Sequence, residues 1–152
     1  KASIDAVLIA SRPLPEGPVL DPADVAQAVG ALRSVQPAFD LTGGLHGAAV
    51  QLSDGTMLGV AEDIGRHNAV DKTIGAAVAG RSWPLDGTIL LVSGRVSFEI
   101  VQKAAVAGIP IVAGISAASS LAVDLASELG MTLVAFLRAG AANVYSGAGR
   151  LA

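Results

Sequence analysis

The stretch that decides the fold runs from Gly87 to Leu137: "GTILLVSGRVSFEIVQKAAVAGIPIVAGISAASSLAVDLASELGMTLVAFL". Three uncharged apolar runs stand out in it: "GTILLVS", "IPIVAGI" and "MTLVAFL". Between them lie two segments with helical spacing, from about Ser97 to Ala107 and from about Ser119 to Leu129, the second closed by Gly130. Continuous apolar strands that alternate with helices imply a sheet buried on both faces and parallel in this half. The expected architecture is a three-layer α/β/α sandwich.

Upstream the pattern is less regular. "SIDAVLIA" (Ser3–Ala10) reads as a strand, and "SRPLPEGP" as a Pro-rich loop. Asp21 then caps a helix with Pro22 at its first position, which runs to about Val35 and stops before Pro37. "DLTGGLHGAAVQL" reads as a short helix entered through Gly43-Gly44. "SDGT" is a turn, Thr56–Glu62 a strand, and Arg66–Ala79 a helix with Gly80 at its C′ position.

The composition narrows the class. The chain has 152 residues, 52% hydrophobic and 15% charged, so it folds as one domain with a sizeable core. Aromatics make up only 3%, which leaves Ala, Val, Leu and Ile to build that core. A net charge of -3 gives no general attraction to nucleic acid or to an anionic membrane. The chain holds no cysteine, which excludes disulfides, thiolate metal sites and a cysteine nucleophile within these residues. Residues 104–123 are uncharged over the length of a membrane span. Glycines, a proline and three serines interrupt them, so a helix end, a buried strand and a helix start explain the run better. No signal peptide is evident. Lys1 in place of an initiator methionine reads as part of a longer protein.

Polar residues gather at one end of the strands. "EDIGRHN", "SGRVSFE", "SAASS" and "RAGAANVYS" follow successive apolar runs, whereas "LDGT", "GIP" and "GMT" at the opposite ends are tight turns. In open α/β sheets ligands bind beyond the carboxyl ends of the strands. On a helical wheel Val70, Ile74, Ala77 and Val78 form an apolar stripe whose extension meets Arg66 and His67. Asp71, at i+4, is placed to orient the His67 imidazole, while Asn68 and Lys72 read as a solvated face. Ser93-Gly94 lets backbone approach a ligand, Ser97 reads as an N-cap, and Arg95 suits phosphate or carboxylate. Glu99 in the first turn complements the helix dipole. Thr42, Gly43 and Gly44 ahead of His46 suggest an anion nest. None of this is a Walker A or a GxGxxG fingerprint.

"TGGLHGAAV", "EDIGRHNAVDKTIGAA", "SGRVSFEIVQKAAVAGIPIVAGISAASSLAVDLA" and "LVAFLRAGAANVYS" together resemble the formate dehydrogenase accessory sulfurtransferase family, FdhD/NarQ. The match runs in order from about Thr42 to Ser146. The resemblance implies a cytidine deaminase-like α/β/α sandwich with a mixed, mostly parallel sheet. It implies transfer of persulfide sulfur from a cysteine desulfurase to the molybdenum bis(molybdopterin guanine dinucleotide) cofactor of formate dehydrogenase. The family's persulfide cysteine sits in a Cys-x-x-Cys loop just before a segment resembling "KASIDAV", so it is expected upstream of Lys1. The guanine dinucleotide part, for which GDP is a natural surrogate, is expected at Phe136, Leu137, Arg138, Ala139, Gly140 and Ala141. Ala141 stands where the family usually has arginine.

His46, Arg66, His67 and Arg95 are expected to line the pocket, with no catalytic residue and no metal ligand in this chain. Zinc deamination is disfavoured: His46-Gly47-Ala48 lacks the glutamate of a His-x-Glu, and cysteines are absent. The resemblance further implies a cytoplasmic setting, and the apolar helices leave room for a homodimer. A non-catalytic cofactor-binding chaperone of formate dehydrogenase is the alternative, and a nucleotide hydrolase on a deaminase-like scaffold ranks third.

Overall fold

The computed structural model describes residues 5–6, 13–14, 19–34, 41, 43–81, 83–138 and 141–151. Within them a six-stranded sheet has the order β2-β1-β3-β4-β5-β6. Its strands are β1 (His46–Leu52), β2 (Met57–Asp63), β3 (Thr88–Val92), β4 (Ile111–Gly114), β5 (Thr132–Arg138) and β6 (Ala141–Ser146). The helices are α1 (Pro22–Ser34), α2 (Arg66–Arg81), α3 (Phe98–Ala107) and α4 (Ser120–Leu129).

The sheet is mixed. β3, β4 and β5 are parallel, as the three apolar runs implied. β1 lies antiparallel to both β2 and β3, and β6 antiparallel to β5. Strands β2 to β5, β1 apart, thus point one way, while three of the five pairings are antiparallel.

Strand alternation builds the three layers. Ala48, Val50, Leu90, Val92, Val112 and Leu133 face one way and pack with buried residues of α2, α3 and α4. Ala49, Ile89, Leu91, Ile111, Ala113 and Val134 face the other way and meet Val25, Ala28 and Leu32 of α1. The start of α1 is set as its sequence implied, with the Ala23 amide donating to the Asp21 carboxylate at 2.8 Å. Gly108 and Gly130 end α3 and α4 in the left-handed conformation.

Four readings need correction. The expected helix over Asp40–Leu52 is, from His46 onward, the strand β1, buried between β2 and β3. Gly-Ala-Ala-Val carries no period of its own, and burial on both faces overrides the helical preference of alanine. α2 runs through Gly80 to Arg81, so Gly80 is helical and not a cap. "AANVYS" is strand β6 rather than a loop; its residues are almost all exposed, so no buried alternation marks it. At Asp5 and Ala6 the backbone is helical, against the strand expected there, and the rest of Ser3–Ala10 lies outside the described residues. Val35, Asp40 and Thr42 lie outside them too.

No helix among the described residues is long and apolar enough to cross a membrane. The uncharged run at 104–123 divides into the end of α3, β4 and the start of α4.

A candidate binding edge at the carboxyl ends of the strands

The antiparallel course of β1 brings its first residue to the edge where β2 to β5 end. His46 pairs with Asp63, the last residue of β2. The turn after β3 is stitched to the same place: the Gly47 amide donates to Ser93 Oγ at 2.8 Å, and the Ser93 amide to the Gly47 carbonyl at 3.0 Å.

Gly94 then lies in a confined position. A Cβ there would come 3.0 Å from His46 Nδ1 and 3.4 Å from Cβ and Cδ of Arg66. His46, Arg66 and Gly94, expected on separate motifs, therefore meet. Arg66 Nε is buried and has no hydrogen-bond partner among the described residues. A buried donor left unpaired costs about 1–3 kcal/mol, so an acceptor seated beside Arg66 Nε would be favoured.

The turns after β3 and β4 are built alike and joined. Val96 and Ala118 form a parallel bridge, with the Val96 amide donating to the Ala117 carbonyl and the Ser119 amide to the Val96 carbonyl. Ser97 and Ser119 occupy matching N-cap positions. Ser119 caps α4 by accepting from the Ala122 amide. Ser97 stands at the start of α3 but makes no side-chain cap bond. Its hydroxyl lies 3.1 Å from His67 Nε2 instead. This corrects two expectations. Ser97 is an N-cap by position only, and His67 is held by Ser97 while Asp71 pairs with Lys103 at 2.8 Å.

Glu99 is more than a complement to the helix dipole. Its own amide, then the Ser97 hydroxyl, and then His67 and Arg66 hold its carboxyl below the usual range. Asn68 and Lys72 are exposed, as read, but both turn back to Asp63. The Lys72 ammonium, the Gly65 amide and Asn68 bring the Asp63 carboxyl down to about 2. Asp63 thereby ties the end of β2 to the first turns of α2 and fixes where Arg66 and His67 emerge.

At the far side of the edge, Phe136 adopts φ 52, an uncommon conformation for a bulky side chain. The bulge breaks the alternation of β5, so that Leu137 joins the α1 face while the Phe136 ring stays 40% exposed. The Phe136 amide donates to the Ser116 carbonyl at 3.0 Å. Arg138 Nη1 donates to the Ile115 carbonyl at 2.6 Å and to the Leu137 carbonyl at 3.0 Å, so part of its fork holds the β4–α4 turn.

Other candidates stand apart. Arg95 is exposed on its turn. Gly43, at φ 67, and Gly44 lead into a strand instead of a helix, so the expected nest has no helix N-terminus behind it. Ala141 opens β6. Thr42, Ala139 and Gly140 lie outside the described residues. Sequence reasoning missed the roles of Asp63 and Ser97; the spacing Asp63, Asn68, Lys72 across a helix start was the available signal for the first. Among the described residues no group of three or more His, Asp or Glu is arranged to hold a metal ion.

In open α/β sheets ligands sit beyond the carboxyl ends of the strands, the edge at which His46, Arg66 and Gly94 meet in this α/β/α domain. The FdhD/NarQ family description matches residues 2–152, and the chain belongs to that family. It is 56% identical to a sulfur carrier protein FdhD of Mycolicibacterium paratuberculosis, over 99% of this chain and 56% of that protein. It is 53% identical to the protein of the same name from Streptomyces coelicolor, over 100% of this chain and 55% of that one. A solved structure of a candidate formate dehydrogenase accessory protein from Desulfotalea psychrophila superposes with a TM-score of 0.85 at 31% identity, covering 97% of this chain and 62% of that one. The chain thus spans about half the length of the curated relatives it matches.

Proposed function

We propose that this chain is the cofactor-binding part of a sulfur carrier that passes persulfide sulfur from a cysteine desulfurase to the molybdenum bis(molybdopterin guanine dinucleotide) of formate dehydrogenase. The relatives' name, sulfur carrier protein FdhD, supports the carrier role. The cofactor is here the substrate, and its phosphates and guanine are what the edge would hold. The observation that carries the binding reading is the buried Arg66 Nε without a partner, beside the confined Gly94. That arrangement fits a phosphate, which would supply the missing acceptor. The exposed Phe136 ring offers a stacking face, and the rest of the Arg138 fork a second cation.

The 152 residues hold no cysteine. In this reading the persulfide travels on a cysteine outside them, and the segment alone binds without transferring sulfur. The whole protein acts as a sulfurtransferase, in the cytoplasm and as a homodimer. Its ligand edge serves to hold the cofactor while sulfur is delivered.

Calorimetric titration with GDP tests the site. Arg66→Ala and Phe136→Ala are expected to weaken binding by at least about tenfold, the loss of one charge-assisted hydrogen bond or one stacked ring. Arg138→Ala weakens it less, since Nη1 is held by carbonyls. GDP affinity unchanged in all three variants rejects the site.

A further inference from the structure

A cleft of about 330 Å³ lies at the end of β1 opposite to His46, between α1 and the turn that joins β1 to β2. Its size is at the lower end of what a small organic ligand fills. One wall is the stripe of α1 that carries Asp24, Ala28 and Ala31, and the other is the turn with Asp54. Among the described residues no lysine, arginine or histidine lines it.

Gln51 comes up between the two walls. Its partner on β3 is Ile89, which packs on the α1 face, and cross-strand partners share a face. The side chain therefore points to the α1 layer and reaches the cleft, with only 6% of the residue exposed. Its Oε1 is buried and has no hydrogen-bond partner among the described residues. A buried amide oxygen left unpaired is costly, so a donor seated beside it would be favoured. The terminal torsion of glutamine is broad, which lets the amide turn to meet such a donor.

The two acids are a separate observation. Asp63, Asp71 and Asp86 each pair with a lysine or an arginine. Asp24 and Asp54 pair with no cation among the described residues. Asp24 stands in the first turn of α1, where its charge complements the helix dipole. Asp54 accepts from the Thr56 amide at 2.9 Å, a bond that holds its carboxyl below the usual range and so charged near neutral pH. Carboxylates and an amide oxygen from three stretches of chain thus converge, and all of them accept.

We infer that this cleft binds a small organic cation with several N–H donors, of the diamine class, with Gln51 Oε1 and the Asp24 and Asp54 carboxylates as its acceptors. A bare divalent ion suits it less, because such an ion needs several oxygens packed closely around it and the cleft is far larger than one ion. The site lies at the other end of β1 from the proposed cofactor edge and has the opposite charge, so neither reading depends on the other.

The test is a titration of the protein as the cell makes it with putrescine at low salt. It is followed in ¹⁵N–¹H spectra at the Gln51 side-chain amide and the backbone amides of Ser53 to Gly55. Saturable shifts are expected there and none at Arg66 or Gly94. Asp24→Asn and Asp54→Asn are each expected to weaken binding by up to about fivefold, the range of an exposed ion pair. Asparagine at 54 still accepts the Thr56 amide. Gln51→Met is expected to weaken binding about two- to tenfold, the worth of one hydrogen bond. It leaves the melting temperature at or above that of the wild type, because the oxygen it removes had no partner. A glutamine that only holds the fold gives the reverse, a lower melting temperature with unchanged affinity, and overturns the assignment. Should Gln51→Met fail to fold, the double variant Asp24→Asn with Asp54→Asn decides, and unchanged affinity in it overturns the inference.

Butylamine, with one ammonium group, is expected to bind more weakly than putrescine, and equal affinity overturns the two-walled arrangement. Magnesium that moves the Gln51 amide at lower concentration than putrescine overturns the organic-cation assignment. So does putrescine that gives no saturable shift.

Discussion

Gly59 sits where β2 passes closest to α2, and Gly59→Ala is the sharpest perturbation of the packing that carries the site. A Cβ at this position would fall 2.2 Å from the Thr73 carbonyl oxygen, 3.0 Å from the Ala77 amide and 3.1 Å from Thr73 Oγ1. Real Cβ contacts essentially never go below 3.0 Å, so strand and helix must part by about 0.8 Å. The obstacle is backbone and cannot rotate away. Overpacking of this kind costs typically about 1–3 kcal/mol, and a backbone clash belongs at the upper end. For a domain of this size each kcal/mol lowers the melting temperature by about 2–4 °C, so the variant is expected to melt roughly 6–12 °C below the wild type. Gly75→Ala on the same helix is the control: a Cβ there meets nothing within 4 Å. It should be stabilising by about 0.4–1 kcal/mol through the restricted unfolded chain. Thermal unfolding followed by circular dichroism measures both. Because α2 also carries Arg66 and His67, Gly59→Ala should weaken GDP binding in the molecules that remain folded. A Gly59→Ala protein that melts with the wild type, or a Gly75→Ala protein that loses as much, refutes the packing argument.

Asp63→Asn tests the tie between β2 and α2. The folded carboxyl is held at about 2, below the ordinary value of 3.8, so its contribution is present above about pH 4 and disappears as the pH falls towards 2. Melting temperatures of wild type and Asp63→Asn should therefore differ near neutral pH and converge by pH 2; a constant gap down to pH 2 contradicts the assignment. Ser119→Ala is expected to cost about 1 kcal/mol through loss of the α4 cap, read from the denaturant midpoint, and a cost near zero would show that the Ala122 amide finds another acceptor. Arg150, buried at 9% exposure, donates to the Gly130 carbonyl at 2.6 Å and lies 3.3 Å from Thr132 Oγ1. Arg150→Ala removes a charge-assisted hydrogen bond made by a buried guanidinium and should cost about 1.5–3 kcal/mol; a midpoint equal to wild type would mean that water replaces the guanidinium at no cost.

The parallel half of the fold was legible because its strands are buried on both faces and bounded by glycines and prolines. β1 was not, since a run of glycine and alanine has no period and only the completed sheet decides its state. β6 escaped for the opposite reason: an exposed edge strand buries too little to leave a pattern. The clustering of polar residues at one edge was read from the loops, and the antiparallel turn of β1 explains why His46, far away in sequence, joins them. Roles within the site were less legible. Asp71 was the nearest acid to His67 on the wheel, but Lys103 reaches it from α3, a contact between helices that no spacing within α2 reveals. The diversion of Ser97 from its cap is likewise a contact across thirty positions of chain.

The central claim is that the carboxyl ends of the strands form the ligand edge. Backbone amide shifts of the ¹⁵N-labelled protein, followed during titration with GDP, test it most directly. The account predicts shifts concentrated at His46, Arg66, Ser93 to Ser97, Ser116 and Phe136. Shifts confined to the opposite edge, around Gly55, Gly87, Gly108 and Gly130, would contradict it.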